Sequence, residues 1–184
     1  MTRQLLILSV LAAAASAMTA TPAATAMPTT MTASAQRVEG ALVDCANRER
    51  RARGIAPLSV HPALAGAAHA YARAMLRRRF FGHTDPSGRD PADRVATVDP
   101  AFGPFVGENL YLDARSAGEA CRGWMRSTGH RQNILDPRYT VIGTGFARGR
   151  RGVYYVQVFG DPAPPEPPVE PEPPVGEGEQ GPVE

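Results

Sequence analysis

Val153-Tyr-Tyr-Val-Gln-Val-Phe159 is apolar on both faces of a two-residue period. Tyr154, Val156 and Val158 share one face, and Val153, Tyr155 and Phe159 share the other. A strand with two apolar faces needs a layer of helices over each. Tyr139 to Ala147 (YTVIGTGFA) has the same period, and Arg148-Gly-Arg-Arg-Gly152 reads as the turn between the two strands. Leu110 to Leu112 is a further short strand. The expected fold class is α+β, a three-layer α-β-α sandwich with a small antiparallel sheet between helices.

Outward from this pair the period becomes helical. Val38, Leu42, Cys45 and Ala46 recur at helix spacing until Gly54. Leu64, Ala68, Tyr71 and Met75 repeat the pattern after Pro62, which puts His69, Arg73 and Arg77 on the wet face. Asp90 to Val98 reads as a short helix opened by Asp90-Pro91. Ser116 caps another, with Glu119 three residues on and an apolar face of Ala117, Cys121, Trp124 and Thr128. Gly129 reads as the residue that ends it, and His130 as lying just beyond.

The 184 residues, 43% of them hydrophobic, suffice for one domain with a core and are too few for two ordinary ones. Charge is divided unevenly. Nineteen of the twenty bases, all arginine, fall with eleven acids between Arg37 and Arg151, a net +8. The last 24 residues hold seven acids and no base. Two cysteines exclude a disulfide-dense scaffold and a four-thiolate zinc site.

The ends read as segments without a fold of their own. Residues 1–17 form a signal peptide: Arg3, the apolar run Leu5 to Ala15, and Ala15-Ser16-Ala17 as the cleavage pattern, with Ala33-Ser34-Ala35 a weaker second one. The run is too short for a bilayer span, which needs ~20 residues. Residues 18–35 read as a disordered leader and 36–161 as the domain. Residues 162–184, nine of them proline with glutamates between, read as a disordered tail. The expected location is extracellular or periplasmic.

Four segments place polar residues where the pattern does not call for them. They are Phe80-Phe81-Gly82-His83-Thr84-Asp85-Pro86, Gly107-Glu108-Asn109-Leu110, Trp124-Met-Arg-Ser127-Thr-Gly-His130-Arg-Gln-Asn133, and Gln157 within the most apolar strand. His83, Glu108 and His130 are residue types that hold a divalent metal or perform acid–base chemistry. Asn109 and Asn133 are of the type that holds loops together through backbone bonds.

In this order, GHTDP, GENL, GWMRSTGHRQNIL and YYVQVFG resemble the CAP superfamily of cysteine-rich secretory, antigen 5 and pathogenesis-related 1 proteins, in its bacterial SCP-like form. Asn47-Arg48-x-x-Arg51 with Pro57-Leu58 is similar to that form's first helix. The resemblance covers about residues 38–160 and implies an α-β-α sandwich in a secreted protein. It also implies a cleft containing His83, Glu108 and His130. The second glutamate of the family's eukaryotic tetrad falls on Ser127, so two-carboxylate mechanisms lose support.

The cleft candidates are therefore His83, Glu108, His130 and Ser127. For a metal, the candidates are His83 and His130 as ligands of Zn²⁺ or another divalent cation, with Glu108 hydrogen-bonded behind them. Ser127, His130 and Asp136 could be read as a hydrolase set, but no nucleophile elbow is present. His61 and His69 read as surface residues. In an exported protein Cys45 and Cys121 are expected to pair if their Cα atoms lie within ~7 Å; otherwise they are two buried thiols. The leading functional expectation is a secreted, monomeric binding module for a small apolar, lipid-like or cell-envelope ligand. It involves no nucleic acid and no transmembrane segment. The alternatives are a metal-dependent hydrolase using His83, His130 and Glu108, and a structural envelope protein with an idle cleft.

Overall fold

The computed structural model describes residues 32–162, so the signal peptide, most of the leader and nearly all of the tail lie outside the described residues. In chain order the elements are α1 (Ala33–Arg51), β1 (Ser59–Val60), α2 (Pro62–Arg78), α3 (Pro91–Val98), β2 (Val106–Leu112), α4 (Ala117–Arg126), α5 (Thr128–Leu135), β3 (Val141–Gly149) and β4 (Gly152–Gly160). The helix starts follow capping chemistry. Thr32 caps α1 by accepting from the Ala35 amide, and Asp90 and Asp93 form a reciprocal capping box at α3. The first helix thus begins three residues before the domain boundary expected at 36.

The sheet order is β1-β3-β4-β2. β3, β4 and β2 are antiparallel neighbours, while β1 adds a two-residue parallel pairing to β3. The sheet is therefore mixed rather than purely antiparallel. The β3–β4 turn is tighter than expected, with Gly149 paired to Gly152 and only Arg150 and Arg151 between.

The two faces of β4 lie in two cores. Tyr155 and Phe159 pack with Leu42, Ala46, Ala120, Trp124 and Ile134, from α1, α4 and α5. Tyr154, Val156 and Val158 pack with Leu64, Ala68, Tyr71, Met75 and Val95, from α2 and α3. This is the three-layer sandwich. Each large side chain that is fully buried contributes ~1.5–3 kcal/mol.

Gly143 and Gly145 let α2 lie directly on β3, because a Cβ at either position would run into the backbone of Leu64 or Ala68. Cys45 of α1 and Cys121 of α4 are joined as a disulfide, with Cα atoms 6.3 Å apart and a sequence separation of 76. Arg50, only 1% exposed, gathers the far end of this layer. It donates to the carbonyls of Ala56, Ile134, Asp136 and Tyr139.

One helix expected after Ser116 is in fact two. Ser127 is extended (φ −89°, ψ 126°), ends α4 and precedes α5. His130 is therefore inside a helix rather than beyond one, Gly129 does not terminate α4, and Thr128 is exposed rather than on the apolar face. His69 is also not a surface residue. Its Nδ1 lies 2.9 Å from Oε1 of the buried Glu39, and its Nε2 is buried. His61 is half-buried at the start of α2, with its ring 5.1 Å from that of Phe102.

Candidate functional site

The site forms along β2, which among the described residues has a strand neighbour on one side only. Successive residues of a strand point to opposite faces, so Glu108 and Asn109 send their side chains into different layers.

Glu108 faces the layer of α2 and α3. Its carboxylate is 6% exposed by residue, yet both oxygens are satisfied. Oε1 lies 2.9 Å from His83 Nδ1, and Oε2 accepts from Arg94 Nη2 at 2.6 Å. A carboxylate only accepts, so the proton is on His83 Nδ1 and the ring presents Nε2 outward. The His83 side chain is 55% exposed.

The loop that carries His83 is held from below. Arg94 Nη1 donates to the carbonyls of His83 (2.8 Å) and Arg89 (2.9 Å), and its guanidinium sits 3.4 Å above the Tyr71 ring. The Tyr71 hydroxyl donates to the Gly82 carbonyl. Burial pushes that phenol up to about 12, outweighing the pull of Arg94, so it remains a donor at neutral pH. Asp85 closes the turn by accepting from the amides of Ser87 and Arg89 and from the Arg89 guanidinium.

Asn109 faces the opposite layer and is fully buried. Its Nδ2 donates to the His130 carbonyl (3.0 Å) and to Gln157 Oε1 (3.3 Å), while its Oδ1 accepts from Asn133 Nδ2 (2.9 Å). Asn133 also donates to the Glu108 carbonyl, and Gln157 Nε2 to the Leu42 carbonyl. This chain of amides fixes α5, and with it His130, against the edge of β2. Gln157 thus interrupts an apolar strand because a buried amide beside Asn109 needs a partner. Burial, and secondarily the charge of His83, hold the His130 imidazole below its usual value.

The structure therefore brings Glu108 to His83, while His130 is tied to the same strand through Asn109 and Asn133. It does not link the hydrolase candidates. Among the described residues no hydrogen bond joins Ser127, His130 and Asp136, and the Asp136 carboxylate is occupied by Arg138 at 2.6 Å. Nor do three His, Cys, Asp or Glu side chains gather as a metal-binding group among the described residues. Sequence reasoning missed Arg94, which holds both Glu108 and the His83 loop. An arginine on a short helix next to Val95 carries no pattern that separates it from a solvated one.

Comparison with known proteins matches this architecture. The family model "CAP: Cysteine-rich secretory protein family" matches residues 43–159. The chain belongs to this family, as a bacterial SCP-like member. YkwD, an uncharacterized protein of Bacillus subtilis (strain 168), is 34% identical over 140 residues, 76% of this chain and 53% of its own. The chain thus spans about half the length of that curated relative. An extracellular SCP-domain protein of Bacillus anthracis superposes with a TM-score of 0.63 at 25% identity, over 68% of this chain and 41% of that one. An outer surface protein of Borrelia burgdorferi shares the fold, with a TM-score of 0.61 at 20% identity over 66% and 90% of the two chains.

Proposed function

We propose that the protein is an exported binding module whose cleft lies between His83 and His130 at the edge of β2. The carrying observation is the double engagement of Glu108 by His83 and Arg94. A general base needs a free lone pair facing the substrate. Here the carboxylate is buried behind the imidazole it orients and against the guanidinium it neutralises, so Glu108 does not itself face a ligand, which counts against a hydrolase with Glu108 as base. The ligand would be small and apolar or part of a cell envelope, and would meet two imidazoles at the rim of the cleft.

The same geometry partly fits a divalent cation. A carboxylate behind Nδ1 is the arrangement that prepares the opposite ring nitrogen as a metal ligand. His83 Nε2 and His130 would hold Zn²⁺ as a Lewis acid, the remaining positions going to water or to the ligand itself. Two imidazoles make a weak site, and Glu108 contributes by orienting His83. Calorimetric titration of Zn²⁺ at neutral pH should give saturable binding that is lost in His83→Ala and His130→Ala, with Glu108→Gln weakening it less. No saturable binding, or parent-like binding in both histidine variants, would end the metal reading while leaving the module open to metal-free ligands.

Export supports this reading. The N-terminal segment has the form of a signal peptide, the family is secretory by name, and no helix among the described residues is long and apolar enough to cross a membrane. Cleavage after Ala17 is preferred to cleavage after Ala35, which would remove Thr32, the cap of α1, and part of its first turn.

A further inference from the structure

The end of the domain opposite Arg50 carries an arginine cluster that has no ion-pair partner among the described residues. Arg77, Arg78 and Arg79 close α2, and Arg148, Arg150 and Arg151 surround the β3–β4 turn; all six are exposed. Leu76 lies against Gly149, so the helix end and the turn form one surface. A recess of about 360 Å³ lies between them, lined by Leu76, Arg77, Arg79, Gly149, Arg150 and Arg151. Arg79 adopts φ 59° and ends the helix.

Ion pairs elsewhere on the domain take up Arg53, Arg89, Arg94, Arg115 and Arg138, but none of these six. The nearby Asp113 is turned to the Val153 amide at 2.9 Å. Arg148 lies over the Phe146 ring on the other face of the sheet, which leaves Arg77, Arg79, Arg150 and Arg151 around the recess. Four like charges held together are unfavourable in the isolated protein, so the arrangement suits an anionic partner. Two apolar side chains flank it. Phe81 is 48% exposed against the Tyr154 ring, and Leu112 is 37% exposed beside Gly152.

We propose that this end docks on a bilayer rich in anionic phospholipid, with the guanidiniums on the phosphates and Phe81 and Leu112 entering the interface. Guanidinium forks match phosphate oxygens. The flanking apolar residues favour a bilayer over a soluble polyanion, which would offer them nothing to enter. The arginines of this surface are not among the residues assigned to the His83–His130 cleft, and the inference does not rest on the reading of that cleft.

The test is sedimentation of the full chain with vesicles of phosphatidylcholine alone or with about one-third phosphatidylglycerol. Neutral vesicles supply the baseline for any apolar insertion by the N-terminal segment. Binding should rise on anionic vesicles and fall with added salt. One basic residue near an anionic surface is worth about a factor of five in partitioning, so R150Q/R151Q should weaken binding roughly 25-fold. The charge-matched control R48Q/R51Q, on exposed arginines of α1, should change it by less than about threefold. F81S/L112S should reduce the binding that survives high salt. Equal binding to both vesicle types, or equal losses in the two arginine pairs, overturns the proposal. So does binding to soluble polyphosphate, sensitive to R150Q/R151Q, without binding to vesicles.

Discussion

Replacing Arg94 with methionine should be among the most costly single changes in the domain, and the structure gives the reason. Met keeps much of the side chain's volume over Tyr71 but removes the cation. The pair it breaks is buried on both sides, with 8% exposure for the Arg94 side chain and 1% for Glu108. Stripping the partner from a buried charge costs ~3–5 kcal/mol. The carbonyls of His83 and Arg89 lie on an exposed loop where water can replace the lost donors, so they add little. The expected loss is therefore ~4 kcal/mol, a large part of the ~5–15 kcal/mol that stabilises a typical domain. Urea unfolding followed by the fluorescence of Trp124, the single tryptophan, measures it directly. Glu108→Gln removes the other charge, so the double variant should be less damaged than the two singles predict, by ~2 kcal/mol or more. Arg94→Lys keeps the charge without the fork and should fall between parent and Arg94→Met. A cost below ~1 kcal/mol for Arg94→Met, or singles that add to the double within ~0.5 kcal/mol, would refute the idea that Arg94 holds the site through Glu108.

Other expectations follow from single features. In metal-free protein the His130 imidazole should titrate below its usual value of 6.5, and His83→Asn should raise it by removing the second cause, as read by NMR. Because the folded value is the lower one, the unfolded chain binds more protons, so His130 should cost stability as pH falls through 6.5 towards the folded value. An unmoved His130 titration in His83→Asn would separate the two rings. Cys45→Ala with Cys121→Ala should cost ~4 kcal/mol on the loop-closure argument. Non-reducing peptide mapping of exported parent should recover the linked pair rather than two alkylated thiols. Gly143→Ala forces a methyl into the backbone of α2 and should cost ~3 kcal/mol or prevent folding. A thermal midpoint equal to the parent's would mean that α2 is free to move away.

The layers were legible because they leave a local trace. Val153 to Phe159 alternates two apolar sets, and each set found its own core. The helix starts at Pro62, Pro91 and Ala117 could likewise be read from cap residues. What stayed hidden depends on neighbours distant in sequence. The break at Ser127 has no glycine or proline to announce it. His69 occupies the polar side of α2 by helix phase, yet that side meets Glu39 beside β3. Within the site, His83, Glu108 and His130 stood out as polar breaks in the pattern and their convergence was implied by resemblance, while the close pairing of His83 with Glu108 is set by the fold. Arg94 and Arg50 had no trace at all, since a buried arginine is specified by the carbonyls and carboxylates that surround it.

Past Ile142, β3 has no strand on its outer side among the described residues, and its Phe146 amide is taken by the Glu39 carboxylate at 2.9 Å. An unpaired strand edge invites another chain to add to it, and here a carboxylate already fills the place that a foreign carbonyl would need. That protection comes from α1, so it exists only once α1 has docked. The Cys45–Cys121 bond tethers α1 to α4 while the rest of the chain is still unfolding or refolding. Reduction should therefore do more than lower the melting point. It should lengthen the time β3 spends uncovered, and so favour edge-to-edge assembly as the protein's concentration rises.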